Sequence, residues 1–185
     1  MRWQSPSAHE VPAAGVSVPV SRRWARVGDL WITVLIVVAD QVTKMLVRAT
    51  LSLHASITVV PGLLDLTHVR NTGAAFGILN SAVFPFKTPL LIGVAIVALV
   101  SIGVYAAQLP PHQRLARMGL TLILGGAVGN LIDRTRTGYV LDFVDVYWRN
   151  HHFWAFNVAD SAITIGVSAL MLDLLFAKRH ASHPL

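Results

Sequence analysis

The sequence predicts a mainly α-helical integral membrane protein with four transmembrane helices and a small β-hairpin, or cradle, between the first two. Of its 185 residues, 54% are hydrophobic and only 13% are charged, which is outside the usual range for a soluble domain. Four segments approach the roughly 20 apolar residues that cross a bilayer. They cover residues 30–47, 88–107, 115–133 and 157–177 and belong to one domain, residues 27–178.

The two ends of the chain lack long apolar runs. Residues 1–26 contain Pro6, Pro12 and Pro19 among Ser, Ala and Arg, so we expect a disordered cytoplasmic leader. We expect residues 179–185 to form a short cytoplasmic tail. The first apolar run, LWITVLIVVA, is followed by DQVTKMLV rather than by small residues typical of a cleavage site, so we expect it to remain as an anchor.

Basic residues near the span ends favour a cytoplasmic location for both termini. The leader, the 108–114 connection and the tail carry such residues, and the opposite side carries somewhat fewer near its span ends. The net charge of +6 suits anionic phospholipid, whereas nucleic acid is not expected because no basic aromatic platform is present. The absence of cysteine excludes a disulfide, a thiol nucleophile and a cysteine-ligated metal.

The long connection between the first and second spans predicts the hairpin. ITVVPGLLDLTHV alternates branched or apolar residues around Pro61 and Gly62, which is typical of two short strands joined by a turn. Because an unpaired strand edge cannot face lipid, the hairpin is expected at the outer membrane surface. Pairing with an extended substrate and a surface cap without function are both open interpretations.

The first span contains two ionisable residues. Asp40 and Lys44 are four residues apart, so they share a helix face and can form an ion pair. Charged groups inside a membrane are costly and need a partner, a water-filled cavity or a function. A structural ion pair and direct contact with a substrate are both compatible with this position.

The third span ends in a second polar group. In LILGGAVGNLIDR, Gly125 and Gly129 form a small-xxx-small pair that lets another helix approach closely. Asn130, Asp133 and Arg134 follow at spacings of three and four residues and share a face. Closing the helix end and contributing to a catalytic site are both open roles for this group.

Two further carboxylates flank the last loop. Asp142 lies in the apolar stretch TGYVLDFVDVYW, and Asp160 lies in the opening turn of the fourth span, after Asn157. Because a single loop joins them, the two carboxylates can converge at the mouth of the bundle. Two carboxylates held close share a proton, so one can activate a water while the other donates a hydrogen bond to a carbonyl group. This predicts amide hydrolysis with a bell-shaped pH profile.

Other chemistries find less support in the sequence. His151 and His152 are adjacent and point in different directions, and no HExxH motif is present, so no metal is expected. Ser161 has no histidine and acid around it in a recognisable order. A non-catalytic assembly factor that binds peptides is an open alternative.

A small transporter or ion-conducting subunit is the other alternative from a different functional class. It would use Asp40, Asp133 and Asp160 as a relay through the membrane. Of these three residues, Asp133 and Asp160 lie at one membrane face and Asp40 lies deeper, which favours a site at that face over a relay.

Five motifs in chain order resemble the bacterial lipoprotein signal peptidases, also called signal peptidase II. They are DQVTK, RNTGAAFG, GGAVGNLIDR, YVLDFVDV and FNVADS, within about residues 31–176. Each motif is weak by itself, whereas five in this order are specific. The resemblance implies an inner-membrane aspartyl endopeptidase that removes signal peptides from diacylglyceryl-modified prolipoproteins, cleaving before the lipidated cysteine.

The resemblance also implies roles for individual residues. Asp142 and Asp160 would be the catalytic pair, on the extracytoplasmic side. The residues that bind substrate or support the site would be Asp40, Lys44, Asn71, Gly73, Asn130, Asp133, Arg134 and Asn157. No metal or cofactor is implied, and we expect a monomer among membrane phospholipids because one bundle can hold a complete site.

Overall fold

The computed structural model describes residues 20–181 apart from 75–78, 80, 81, 83, 111 and 150. Its elements in chain order are α1 Val20–Thr50, β1 Ser56–Val60, β2 Leu64–Asn71, α2 Lys87–Gln108, α3 Arg114–Thr137, β3 Val140–Trp148, β4 His151–His152 and α4 Val158–Ala181. All four helices are long and apolar enough to cross a membrane. The predicted four-helix membrane architecture is therefore confirmed.

All four helices extend past the predicted spans at one or both ends, and two of them reach into the predicted leader and tail. α1 begins at Val20, so its first residues fall within the stretch 1–26 that the sequence assigned to a disordered leader; residues 1–19 lie outside the described residues. Because no proline follows Pro19 in this helix, its backbone hydrogen bonds can continue beyond the apolar segment. α4 extends to Ala181, and the remaining tail residues 182–185 lie outside the described residues.

β1 and β2 form the predicted antiparallel hairpin. The Leu63 N–H donates to the Val60 carbonyl at 3.1 Å, and Gly62 has a φ of 78°. Proline in the second position and a glycine with positive φ in the third are typical of a type II turn. The Pro61-Gly62 pair therefore sets the tip of the hairpin, as the sequence indicated.

The sheet is larger than the predicted hairpin. β2 also pairs with β3, and β3 pairs with β4, which gives an antiparallel sheet in the order β1-β2-β3-β4. The sequence predicted no strand between the third and fourth spans. β3 forms because VLDFVDVYW is rich in branched and aromatic residues and finds a partner in β2. Asn71 pairs with Val140, which places the end of β2 beside the start of β3.

α3 is the central helix and packs against α1, α2 and α4. Glycines permit this close packing: a Cβ at Gly126 would lie 2.3 Å from the Ala159 carbonyl oxygen, and one at Gly129 would lie 2.7 Å from Asp40 Oδ2. α2 has no buried residue and packs mainly along α3. The strands join the bundle where α1 and α3 end and where α2 and α4 begin, which we refer to as the sheet end.

Candidate active site

Asp142 lies on β3 at the sheet end and is 2% exposed. Its Oδ1 accepts a hydrogen bond from Asn157 Nδ2 at 2.7 Å, and its Oδ2 accepts one from Asn71 Nδ2 at 3.0 Å. The two amides come from the end of β2 and the start of α4. They fix the plane of the carboxyl group without neutralising its charge.

Asn157 precedes α4 and is fully buried. Its Oδ1 accepts the backbone N–H of Asp160 at 2.9 Å, which is the contact of an N-cap residue. The same side chain donates through Nδ2 to Asp142. One amide group therefore starts the helix that carries Asp160 and orients the other carboxyl group.

Asp160 is connected to α3 through Asn130. Asn130 Nδ2 donates to Asp160 Oδ1 at 2.7 Å, and Asn130 Oδ1 accepts from Lys44 Nζ at 3.0 Å. Asp160 therefore receives one side-chain amide donor, in a position that a helix cap also fixes. The sequence expectation that Asp142 and Asp160 converge agrees with this geometry.

The electrostatic environment of Asp142 reflects that proximity. Burial is the largest cause that raises the pKa of Asp142, and the negative charge of Asp160 raises it further. Hydrogen bonds from Asn71 and Asn157 and the charge of Lys44 act in the opposite direction, leaving the pKa at about 7. A carboxyl group in this state can hold a proton shared with its neighbour near neutral pH.

Lys44 is the fully buried cation beneath the two carboxyl groups. Its Nζ lies 2.8 Å from Asp40 Oδ2, 3.0 Å from Asp133 Oδ2 and 3.0 Å from Asn130 Oδ1. An ammonium group has three donors, and these contacts use them on three acceptors. Asp40 and Lys44 thus form an ion pair, which was one of the two roles left open by the sequence.

Asp40 and Asp133 also bind the backbone of neighbouring elements. Asp40 Oδ1 accepts the N–H of Ala159 in the first turn of α4 at 3.0 Å, so a carboxylate lies at the positive end of that helix. Asp133 Oδ2 accepts the N–H of Leu141 on β3 at 3.2 Å. These contacts fix the elements that carry Asp160 and Asp142.

Arg134 and Gly73 meet on the other side of the site. Arg134 Nη2 donates to the Gly73 carbonyl at 3.0 Å, and the Gly73 N–H donates to Asn71 Oδ1 at 2.9 Å. The charge of Arg134 interacts with both Asp142 and Asp160. All ten site residues named from the sequence therefore belong to one connected group.

Two residues of this group were missed in the sequence. Gln41 Nε2 donates to the Gly129 carbonyl at 3.2 Å, and Arg48 Nη2 lies 3.0 Å from Asp133 Oδ1. Arg48 follows Lys44 by one helical turn, and this spacing was a signal that could have found it. The backbone N–H of Leu141 leaves no such signal, because its side chain has no part in the contact.

His151 and His152 lie apart from this group, whereas Ser161 contacts it through the backbone carbonyl of Asn157. His152 Nδ1 contacts Asp145 Oδ2 at 2.8 Å, and both histidines are exposed on β4. Ser161 Oγ donates to the Asn157 carbonyl at 3.0 Å, an ordinary contact within a helical turn.

Comparison with known proteins gives a consistent set of relatives. A family model described as signal peptidase (SPase) II matches residues 32–176. The lipoprotein signal peptidase of Geobacter metallireducens is 51% identical over 151 residues, which cover 82% of this chain and 92% of the relative. That of Pseudomonas aeruginosa is 42% identical over 163 residues, covering 88% and 96%.

Solved structures agree with these sequence matches. A bacterial membrane enzyme determined by the in meso method at 2.3 Å resolution has a TM-score of 0.76 and 32% identity, covering 85% of this chain and 93% of that one. A second, at 1.9 Å resolution, has a TM-score of 0.71 and 30% identity.

Proposed function

The chain belongs to the signal peptidase II family, and we propose that it removes signal peptides from diacylglyceryl-modified prolipoproteins as an aspartyl endopeptidase, cleaving before the lipidated cysteine. Family membership supports a bacterial multi-pass membrane peptidase that processes lipoproteins. The observation that carries the aspartyl mechanism is the contact of Asn157 with both carboxyl-bearing segments, at Asp142 Oδ1 and at the Asp160 N–H.

The proposed reaction uses one proton shared by Asp142 and Asp160. The ionised carboxylate takes a proton from a water, whose oxygen attacks the scissile carbonyl carbon. The protonated carboxyl group donates a hydrogen bond to the carbonyl oxygen, on which negative charge develops. The C–N bond then breaks, and the leaving nitrogen receives a proton from the dyad. The products are a signal peptide with a new carboxylate and a lipoprotein with a free cysteine amino group.

The amide groups around the dyad support this chemistry through fixed dipoles. Asn71, Asn130 and Asn157 each donate to a carboxyl oxygen at 2.7 to 3.0 Å. Because these donors are already oriented, no reorganisation is needed when charge moves between the two carboxyl groups. The charge of Arg134 balances part of the negative charge of the pair.

The location of the dyad suits a substrate that arrives within the lipid. Asp160 lies in the first turn of α4, and later residues of that helix, including Ile165, Met171 and Leu175, expose apolar side chains. A signal helix can approach such a surface sideways from the bilayer, while water reaches the dyad from the sheet end. We propose that the sheet end is extracytoplasmic and that both termini are in the cytoplasm of a bacterium, at its inner membrane.

The ion pairs at Lys44 argue against the transporter interpretation. Asp40 and Asp133 both lie within 3.0 Å of Lys44 Nζ, and Asp133 also contacts Arg48. A relay would need these carboxylates to exchange protons with water. Here Asp133 instead joins α3 to α1 through Lys44, and Asp40 joins α1 to α4 through the Ala159 N–H. The two acids other than Asp160 in the supposed relay therefore have structural partners.

The test is cleavage of a purified prolipoprotein that either carries or lacks diacylglyceryl on its cysteine. The protein is supplied in detergent with phospholipid, and products are identified by mass spectrometry. We expect one cut, immediately before the cysteine, and only in the lipidated substrate. Equal cleavage of both substrates would refute the lipid requirement, and tight binding without cleavage would favour an assembly factor.

A further inference from the structure

Lys87 occupies an electrostatically unfavourable position at the start of α2. It is the first residue of the helix, where the backbone dipole is positive. The first turn contains no acidic residue, and the N-cap residue Phe86 makes no side-chain capping bond. A lysine held half-buried at this point therefore needs compensating acceptors.

Oxygen atoms of the connection between β2 and α2 supply those acceptors. Lys87 Nζ donates to the Leu79 carbonyl at 3.0 Å and to the Ala82 carbonyl at 2.9 Å. It also donates to Thr72 Oγ1 at 3.1 Å, next to the end of β2. One ammonium group thereby joins the start of α2 to residues at both ends of the connection.

Thr72 lies inside the turn that orients Asn71. The Gly73 N–H donates to Asn71 Oδ1 at 2.9 Å, which closes a local turn around Thr72. This turn directs Asn71 Nδ2 toward Asp142 Oδ2 at 3.0 Å. A chain of contacts therefore runs from Lys87 through Thr72 and Asn71 to the carboxyl group of Asp142.

We propose that Lys87 is a positioning residue for the peptidase reaction, because it holds the turn at Thr72 so that Asn71 keeps its hydrogen bond to Asp142. This inference rests on the proposed function. Lysine suits the role because its ammonium group presents three donors to oxygens that converge from different directions. Arginine keeps the charge but presents a planar fork, so it should preserve the contact only in part.

Loss of this positioning has a specific signature in the pH profile. Donation from Asn71 favours the ionised form of Asp142, so a loosened Asn71 raises the pKa of that carboxyl group. The other groups that face Asp142 are Asn157 and Asp160 at α4, Lys44 on α1 and Arg134 on α3. Because a change at Lys87 leaves those groups in place, the alkaline limb of the activity profile should move to higher pH.

The experiment compares Lys87→Met and Lys87→Arg with wild type on lipidated prolipoprotein across pH. We expect Lys87→Met to lower kcat about fivefold, the effect of weakening one hydrogen bond, and to move the alkaline limb upward. Lys87→Arg should recover part of the rate, because it preserves the contact only in part. Arg136→Met is the matched control, because Arg136 is an exposed cation in the last turn of α3, also at the sheet end. This variant should leave the profile unchanged.

A double variant shows whether Lys87 acts through Asn71. If it does, Lys87→Met should change kcat little in an Asn71→Ala background, since the contact it maintains is already absent. Multiplicative effects of the two substitutions, or a lower rate with an unmoved alkaline limb, would overturn the inference.

A second experiment distinguishes failure of this inference from failure of the proposed function. It titrates the Asp142 carboxyl group by infrared difference spectroscopy, with Asp142→Asn as the control for assigning the signal. An upward shift in Lys87→Met supports the positioning role whether or not the protein cleaves the substrate. An unshifted titration refutes that role, even if wild type cleaves as proposed.

Discussion

Asn157, as a single residue, contacts both carboxyl-bearing segments through opposite ends of one amide group. Serine in its place can still cap α4, but its side chain is too short for the hydroxyl group to donate to Asp142 as well. We expect Asn157→Ser to cleave at least about tenfold more slowly and to keep a higher Tm than Asn157→Ala, because serine retains the cap. Asn157→Ala should also lose the cap, which lowers the free energy of unfolding by about 1 kcal/mol.

Thermal unfolding and single-turnover cleavage, measured on the same preparations, separate the two roles of Asn157. Wild-type cleavage by the serine variant would contradict the proposed orientation of Asp142. A Tm as low as that of the alanine variant would contradict the assignment of Asn157 as a cap.

The pKa of Asp142 sets the expected pH dependence of activity. A dyad that must hold one proton loses activity when that proton leaves, so kcat/KM should fall as pH rises through about 7. At acidic pH, activity should also fall, because the second carboxyl group of the dyad becomes protonated. A rate that stays flat from acid to strongly alkaline pH would contradict the shared proton.

Stability provides a second readout of the same carboxyl group. The pKa of Asp142 is raised from 3.8 to about 7, so the folded state keeps a proton that the unfolded chain has released between these values. The free energy of unfolding therefore falls as pH rises through this window. Above the window, the contribution of this group no longer changes with pH. Asp142→Asn removes the effect.

The Tm of Asp142→Asn relative to wild type should therefore rise by several degrees between pH 5 and pH 8. The readout is the change with pH, because the amide also alters contacts with Asn71 and Asn157 at every pH. A Tm difference that is constant with pH would show that Asp142 titrates normally in the folded protein.

At the scale of secondary-structure elements, the distance between α3 and α4 positions Asp160. A Cβ at Gly126 would lie 2.3 Å from the backbone carbonyl of Ala159, so Gly126→Ala must push the start of α4 away from α3. We expect a lower Tm and at least about a tenfold loss of cleavage, because small displacements of catalytic groups are costly.

Gly103→Ala on α2 is the matched control for this substitution. A Cβ there meets nothing within 4 Å, so the change should leave cleavage unaltered and stabilise the helix slightly. Wild-type activity in Gly126→Ala would show that the dyad does not depend on this helix contact.

The sequence predicted the elements whose signals are local. Apolar length indicated the four spans, and Pro61 with Gly62 indicated the tip of the hairpin. β3 was not predicted because Asp142 and Asp145 interrupt its apolar pattern and because its pairing with β2 is distant in sequence, as Asn71 opposite Val140 shows. A strand that depends on a distant partner leaves only a weak local signal.

At the scale of the whole molecule, Lys44 joins α1 to α3 through its buried contact with Asp133, and it pairs with Asp40 one turn earlier on α1. Lys44→Met keeps much of the volume but leaves Asp40 without its cation, while Asp133 keeps Arg48. We expect a loss of about 3 to 5 kcal/mol in the free energy of unfolding, the usual result of breaking a buried ion pair.

Adding Asp40→Asn to Lys44→Met should restore part of that stability, since it removes the uncompensated carboxylate. The measurement is detergent-solubilised thermal unfolding of wild type and both variants. A single variant as stable as wild type, or a double variant less stable than the single, would contradict this account of the buried network.

The candidate site was predictable in part, for reasons that also act across the molecule. Asp142 and Asp160 flank one loop, so their convergence could be anticipated from chain order. The amide contacts could not, because Asn71 reaches Asp142 from another region of the chain and no periodicity links them. The same holds for Asn130 and Asp160 on separate helices.

The most direct test of the central claim is cleavage of lipidated prolipoprotein by Asp142→Asn, Asp160→Asn and Asp145→Asn beside wild type. Asp145 lies on the same strand as Asp142 but contacts His152, outside the dyad. We predict that the first two variants fold and do not cleave, whereas the third cleaves at about the wild-type rate. Cleavage by either of the first two at the wild-type rate would contradict the two-aspartate mechanism.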